Sequence, residues 1–166
     1  VNKAVTNMEE LKNLDIRVMG APIQTRIFEA IGAAPTVIAY AEVYNAIQTG
    51  VIDAAENEAA GMLQMKFYEV GPEIRITQHA ITVRPLCFSE KTFQRLPKEL
   101  QDIIVEAGKE ASAYGRQIES SEDQAKLDQM VAEGKIHVHP FTERAKLLEL
   151  AEPVKKAYAE EIGATA

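Results

Sequence analysis

The stretch from Asp15 to Asn57 decides the fold and reads DIRVMGAPIQTRIFEAIGAAPTVIAYAEVYNAIQTGVIDAAEN. It opens with residues 15–19, a short apolar run that predicts a β-strand. A Gly-Ala-Pro turn follows, and Pro22 is well placed to open a helix because its fixed φ suits the first helical position. We expect that helix to run to Ile31, with Gly32 just beyond it as a C-terminal cap.

The same pattern then repeats along the chain. Residues 36–39 include β-branched side chains and predict a second strand. A helix is predicted from Ala41 to Thr49, closed again by a glycine, Gly50, and residues 51–53 form a third short apolar segment. Strands and helices that alternate with tight glycine turns predict βαβ units and a mainly parallel sheet. The fold class that follows is α/β.

The remaining segments are less regular. Residues 58–70 predict a helix rich in Met and Ala, and we interpret its methionines as core filling rather than as a recognition groove. Residues 74–88 predict one or two extended segments, interrupted at Pro85. The alternating pattern of residues 136–139 predicts a final strand. A last helix is expected from residue 142 to about 163, broken or kinked at Pro153.

One helix is expected to be unusually long. Pro97 stands at its start, Gly134 at its end, and no proline lies between them. Some 35 residues at 1.5 Å each make a helix of about 50 Å, longer than a small domain is wide. Its first half carries an apolar stripe, whereas residues 117–126 are mainly polar, so a coiled coil is disfavoured. A helix of this kind suits a bridge between two lobes.

The composition narrows the classes of protein. The formal net charge of -7 argues against a nucleic-acid partner, because no basic stripe offsets the acidic surface. Cys87 is the only cysteine, which excludes an internal disulfide, and its apolar neighbours predict a small buried side chain. No apolar run approaches the roughly 20 residues that span a bilayer. The chain opens at Val1 without methionine, so we expect it to have been processed, trimmed or cut from something longer.

Two clusters invite a catalytic or metal-binding interpretation. Asp53, Glu56 and Glu58 follow the third apolar segment and form candidate acid–base carboxylates, with loop acids at a helix start as the alternative. Without a nucleophile or base nearby, we disfavour catalysis. His137 and His139 share one face of a strand, but zinc takes three or four protein ligands and no cysteine completes the set. The sequence therefore predicts no metal site, no cofactor and no enzyme.

Arg17 is a stronger candidate. It lies within an apolar strand directly before the Gly-Ala-Pro turn, and ligands of open parallel sheets bind beyond the carboxyl ends of strands. A guanidinium there can hold a carboxylate through two parallel hydrogen bonds, which lysine cannot match. The alternative, left open by spacing alone, is a surface arginine on an edge strand.

A family resemblance covers nearly the whole chain in the right order. The strings that resemble the periplasmic solute-binding proteins of TRAP transporters, the DctP-type family, are residues 11–18 (LKNLDIRV), 31–37 (IGAAPTV), 42–53 (EVYNAIQTGVID), 56–57 (EN), 67–70 (FYEV), 77–79 (TQH) and 96–101 (LPKELQ). An ordered match of this length is more specific than any one motif.

The resemblance implies a two-lobed α/β receptor in the periplasm. Such a receptor closes on a small carboxylate-bearing solute and delivers it to a membrane permease of the same system. The family's carboxylate-pairing arginine falls on Arg17, its cleft asparagine on Asn57, and an aromatic residue that packs on the ligand on Tyr40. Two positions depart from the family pattern, with Ala54 in place of glycine and Glu58 in place of proline. We expect Glu58 to alter the cleft, in favour of a ligand with hydroxyls or an amine.

The chain begins just ahead of the LKNLDIRV string, so most of a first lobe is absent from it. We expect residues 1–82 and 123–166 to form the second lobe. Residues 83–122 are then an excursion into the missing first lobe, which includes the start of the long helix. The exposed apolar surface of this excursion predicts self-association. The alternative function is a fragment that binds no solute and persists as an oligomeric module.

Overall fold

The first βαβ region matches the sequence prediction closely. The computed structural model describes residues 5–164, apart from the side chain of Ser120. Its first elements are β1 (Asp15–Val18), α1 (Pro22–Ala30), β2 (Ala34–Val37), α2 (Val43–Gln48) and β3 (Ala54–Ala55), with a 3-10 turn over Tyr40–Glu42. The strands form a parallel sheet in the order β2-β1-β3. The long central strand β1 thus has a neighbour on each side.

The third strand lies later than predicted. Residues 51–53 form no strand, and the pairing with β1 is made by Ala54 opposite Ile16 and by Ala55 opposite Arg17. The apolar Ile52 that suggested a strand is instead buried, 1% exposed, in a cluster with Val43 and Ile47. The prediction was wrong because burial beside helix α2, and not sheet pairing, explains that side chain.

The glycine caps are confirmed. Gly32 follows α1 with φ of 89°, and Gly50 follows α2 with φ of 73°. Both values lie in the left-handed region that a Cβ atom disfavours. At Gly50 a built Cβ would meet nothing within 4 Å, so the backbone conformation alone requires glycine there.

The helix predicted over residues 58–70 is interrupted. Helix α3 covers Ala59–Gln64, Lys66 takes a positive φ of 56°, and a 3-10 turn follows over Phe67–Glu69. The turn brings Phe67 into the cluster beneath α2, where it is buried. Burial of this aromatic side chain accompanies the break, and it agrees with the interpretation of this segment as core.

The second half contains the long helix. A short helix α4 (Glu90–Phe93) is capped by the Ser89 side chain and precedes α5 (Lys98–Ala132), one uninterrupted helix of 35 residues with Pro97 as its N-cap. Strand β4 (Glu73–Ile76) pairs in parallel with β5 (His137–Pro140) in a second sheet. Residues 77–89 form no strand, so the extended segment predicted to Phe88 ends early as regular structure.

The last helix is continuous. Helix α6 covers Arg144–Glu161 as one element with Pro153 inside it, so of the predicted break or kink at that residue the break is wrong. Pro153 is exposed. The carbonyl that loses its helical donor to the proline ring can therefore be hydrated instead. The α/β fold with parallel sheets and one long helix is confirmed.

The core is confined to one part of the chain. Buried apolar side chains within residues 5–164 stop at Ile74 and resume at Met130. Large apolar side chains between these points are exposed, namely Ile81, Val83, Leu86, Phe88, Leu100, Ile103, Val105 and Tyr114. Cys87 is also exposed, so the prediction of a buried thiol is wrong: its apolar neighbours in sequence do not pack around it. No helix of the described residues is long and apolar enough to cross a membrane.

Candidate functional site

The site is built around Arg17 at the centre of the first sheet. The side chain is only 6% exposed, and β1 is flanked by β2 and β3, so the alternative of a surface arginine on an edge strand is wrong. Its Nε donates to the Ile38 carbonyl at 2.9 Å, which fixes the guanidinium plane. The guanidinium lies 5.6 Å from the centre of the Tyr40 ring. Among the described residues Arg17 forms no ion pair within 4.0 Å, and the nearby Glu56 carboxyl interacts with its charge only through space.

Tyr40 and Asn57 lie together beside this guanidinium. The Asn57 side-chain amide donates to the Tyr40 hydroxyl at 2.8 Å, and its carbonyl accepts from the Glu58 backbone N–H at 3.0 Å. The Tyr40 ring is held edge-on against Phe67, with 5.6 Å between centroids. The structure therefore brings together Arg17, Tyr40 and Asn57, the three residues predicted for ligand binding, although their role toward a ligand stays a prediction.

Gly61 is a site residue that sequence reasoning missed. A Cβ built at this position would lie 2.6 Å from the Asn57 side-chain oxygen and 2.8 Å from its nitrogen. Both Asn57 atoms are already fixed by hydrogen bonds, so the amide cannot move aside without losing them. A glycine inside a helix costs about 1 kcal/mol relative to alanine, which is the signal that could have found it.

The N-terminus of helix α3 is capped by a residue that is distant in sequence. Its N-cap residue Glu58 offers no side-chain cap, and the Ala59 N–H instead donates to an Asp123 carboxylate oxygen at 2.9 Å. Asp123 belongs to the mainly polar part of the long helix, residues 117–126. This contact ties α5 to the loop that carries Asn57.

The Glu58 side chain is held by an ion pair. Its carboxylate accepts from Arg84 Nη2 at 2.6 Å, and Arg84 Nη1 lies 3.9 Å from Glu119 on α5. Hydrogen bonding to Glu58 raises the pKa of the Arg84 guanidinium above its ordinary value. Arg84 is the second residue that sequence reasoning missed, because nothing in its local sequence connects it with Glu58.

Glu56 and His79 lie behind the guanidinium. Burial raises the pKa of the Glu56 carboxyl, while the Arg17 charge lowers it and Glu58 raises it in turn. Burial lowers the pKa of His79, whose Nε2 lies 4.0 Å from Glu56 and has no hydrogen-bond partner among the residues that the structure describes. Both residues line a partly open pocket of about 110 Å³ together with Asn57 and Arg75.

The other candidate chemistry does not assemble into a reaction site. His137 and His139 each bond one oxygen of Glu73 at 2.8 Å, which clamps β5 to β4. Glu58 forms an ion pair with Arg84, and the Glu56 carboxylate lies 4.0 Å from His79 Nε2. Over the part of the chain that the structure describes, no group of three or more His, Cys, Asp or Glu is arranged to hold a metal ion.

Comparison with known proteins gives consistent matches. A solute-binding protein of Sulfitobacter sp. strain NAS-14.1 is 56% identical over 161 residues, which are 97% of this chain and 49% of that protein. A crystal structure of a TRAP periplasmic solute-binding protein from Sulfitobacter sp. NAS-14.1, with bound α-D-taluronate, has a TM-score of 0.95 and 55% identity and covers 98% of this chain and 53% of that one.

A second crystal structure from Sulfitobacter sp. NAS-14.1, a TRAP periplasmic solute-binding protein with bound β-D-galacturonate, has a TM-score of 0.88 and 30% identity over 96% of this chain and 53% of that one. The chain thus spans about half the length of the relatives that it matches. The resemblance to TRAP solute receptors is confirmed. Residues 1–162 match the bacterial extracellular solute-binding proteins, family 7, and the chain belongs to this family.

Proposed function

We propose that this chain provides the carboxylate-binding lobe of a periplasmic solute receptor, which delivers a small organic acid to a TRAP membrane permease. The observation that carries the proposal is Arg17, a buried guanidinium at the carboxyl end of a central parallel strand with no ion pair among the described residues. A buried charge of this kind is costly unless a partner arrives. A ligand carboxylate is the partner that fits the planar fork of an arginine.

The neighbouring side chains support the same role. The bond from Arg17 Nε to Ile38 orients the guanidinium, so less conformational freedom is lost when a ligand binds. Tyr40 offers an aromatic face for the ligand, and Asn57 holds the phenol in place. Relatives with bound uronates extend the argument to sugar acids as the ligand class. The proposed function uses no cofactor, metal ion or nucleic acid.

The division of the chain supports a two-lobed receptor. We propose that residues 1–82 and 123–166 are one lobe, of which residues 1–4, 165 and 166 lie outside the described part. Residues 83–122 then belong to the other lobe. The exposed apolar side chains of this excursion, such as Val83 and Ile103, are the observation in favour. The same surface favours the second candidate function, an oligomeric module that binds no solute.

Binding measurements on the complete gene product that contains these residues test the proposal. Isothermal titration with D-galacturonate should give binding, whereas D-galactose, which lacks the carboxylate, should not bind measurably. Arg17→Lys keeps the charge but loses the fork, so we expect affinity for the uronate to fall about 100-fold or more, consistent with several kcal/mol for a buried charge pair.

Arg26→Gln, which removes an exposed arginine–glutamate pair between α1 and α6, is the matched control and should leave affinity unchanged. Equal affinity of the Arg17→Lys variant and the unaltered protein would remove Arg17 from the site. Absence of binding to any carboxylate, together with a stable oligomer, would favour the second candidate function.

A further inference from the structure

We infer that Arg84, held by Glu58, is a second ligand-contacting arginine that reads hydroxyl groups, so that the receptor selects hydroxylated monocarboxylates over dicarboxylates. The inference rests on the proposed function and deepens it by naming the ligand class. It starts from the 2.6 Å contact between Arg84 Nη2 and the Glu58 carboxylate, which joins a residue of the excursion to the loop that carries Asn57.

A continuous series of contacts places this pair at the same site as Arg17. The Arg17 guanidinium faces the Tyr40 ring, the Tyr40 hydroxyl accepts from Asn57, and the Asn57 carbonyl accepts from the backbone of Glu58. Glu58 then holds Arg84. The Tyr40 phenol also interacts electrostatically with the Arg84 guanidinium, so this residue has one guanidinium over its ring and a second one nearby. A ligand lying on Tyr40 would have an arginine toward either end.

The two arginines differ in how their charges are compensated. Arg17 forms no ion pair within the described residues, which leaves it able to take an anion. Arg84 faces two carboxylates, Glu58 at 2.6 Å and Glu119 at 3.9 Å, one on each terminal nitrogen. The local charge around Arg84 is therefore neutral to negative, and a second ligand carboxylate would be repelled there.

A hydroxyl group suits the Arg84–Glu58 pair. A hydroxyl can accept from a guanidinium N–H and donate to a carboxylate oxygen at the same time. Hydrogen bonds to charged partners are about twice as strong as neutral ones, which gives such a pair discriminating power. The Arg84 side chain is 58% exposed and that of Glu58 is 33% exposed, so both are accessible to a ligand. Glu58, the departure from the family pattern, thus acts through Arg84.

Calorimetry on the complete gene product tests the inference with three ligands. D-galacturonate carries ring hydroxyls and one carboxylate, cyclohexanecarboxylate carries the ring and carboxylate alone, and galactarate carries hydroxyls with two carboxylates. We expect Arg84→Gln to weaken galacturonate binding about tenfold, as the loss of one hydrogen bond to a charged group implies. Binding of cyclohexanecarboxylate, measured by competition, should change less than about twofold, within the small effect of an exposed charge.

A second variant tests whether the carboxylates around Arg84 repel a second ligand carboxylate. Glu58→Gln removes one of the two carboxylates around Arg84, so galactarate should gain affinity relative to galacturonate by about tenfold. Arg26→Gln is again the control, because it removes an exposed arginine–glutamate pair elsewhere and should leave every ratio unchanged. Thermal unfolding of each variant identifies any that fails to fold.

The outcomes distinguish a failure of the Arg84 inference from a failure of the proposed receptor function. A fall in galacturonate affinity with little change for cyclohexanecarboxylate supports the assignment of Arg84. Equal losses for both ligands, or no loss for either, would overturn it while Arg17 and the receptor function stand. If the unaltered protein binds none of the three acids, the proposed function and this inference are both overturned.

Discussion

Two regions of this chain have similar apolar side chains and opposite environments. The first region, residues 5–82 and 123–164, which we propose to be one lobe, contains every buried apolar side chain of the described residues, from Val5 to Ala151. The arm, residues 83–122, has none within the described residues, although Leu100 and Ile103 form an apolar stripe on α5. Local pattern therefore predicted the helix in the arm but not a partner for it. The pattern of an amphipathic helix indicates that its apolar face packs against another surface, but it does not identify that surface.

The residues proposed to contact the ligand lie on both sides of the boundary between the two regions. Arg17, Tyr40 and Asn57 belong to the lobe, whereas Arg84 and Glu119 belong to the arm. The Arg84–Glu58 contact between them is an ion pair that is partly exposed to solvent. Exposed ion pairs contribute little stability, typically under 1 kcal/mol. This pair therefore adds little to the stability of the junction, whereas the lobe has a packed core.

The largest expected effect comes from matched truncations in the two regions. Ile52→Ala, at a lobe side chain that is 1% exposed, should lower the free energy of unfolding by about 2–5 kcal/mol because it leaves a cavity. Ile103→Ala, at an arm side chain that is 56% exposed, should change it by less than about 0.5 kcal/mol when measured at a concentration that keeps the chain monomeric. Urea unfolding followed by circular dichroism measures both. Similar losses would show that the arm is packed in solution.

Self-association is expected to depend on the arm alone. The 166-residue chain should give a mass above that of the monomer in light scattering, because the exposed apolar stripe needs cover. Ile103→Asp should weaken association about tenfold or more, and Ser112→Asp, which adds the same charge to the same helix, should not. A monomeric mass for the unaltered chain at moderate concentration would count against this prediction.

Two helix glycines give a smaller but sharper contrast. Gly61→Ala in the lobe should weaken uronate binding about threefold to tenfold in the complete gene product, because the new methyl group displaces the Asn57 amide. Gly108→Ala in the arm meets nothing within 4 Å and should raise stability by about 0.5–1 kcal/mol without changing affinity. Calorimetry and thermal unfolding give the two readouts. Unchanged affinity in Gly61→Ala would show that Asn57 adjusts freely.

The smallest effect is expected at His79, just before the arm. Burial lowers its pKa below the ordinary value of 6.5, so the unfolded chain binds a proton more readily than the folded chain. Stability should therefore fall as pH falls from about 6.5 through the folded-state pKa, and level off below it. His79→Gln should flatten this loss. An equal slope in His79→Gln and the unaltered chain would contradict the prediction.

Much of the fold follows from short-range patterns. The strand at residues 15–18, the helix opened by Pro22 and the left-handed Gly32 and Gly50 are local features, so the sequence predicts them well. The failures are local patterns that tertiary packing overrode. Ile52 resembled a strand residue but packs below α2, and the predicted helix over residues 58–70 turns at Lys66, after which Phe67 reaches the same cluster.

The site divides in the same way. Arg17, Tyr40 and Asn57 were predicted by strand-end position and family resemblance, and the structure places them in contact. Gly61, Arg84 and Asp123 were not, because each acts through a contact that no local spacing encodes. The Glu58–Arg84 bond joins residues 26 apart in sequence, and the Ala59–Asp123 bond joins residues 64 apart.

The sequence by itself thus determined the α/β class, the order of most of its elements, the family and the position of the arginine proposed to anchor the ligand, whereas the burial of that arginine came from the structure. These depend on periodicities and turn residues within a few positions of one another. Only the tertiary structure decided which charges meet, so that Arg17 is left without an ion pair among the described residues while Arg84 faces Glu58 and Glu119. Charge compensation is set by distance in space, which packing of distant segments alone determines.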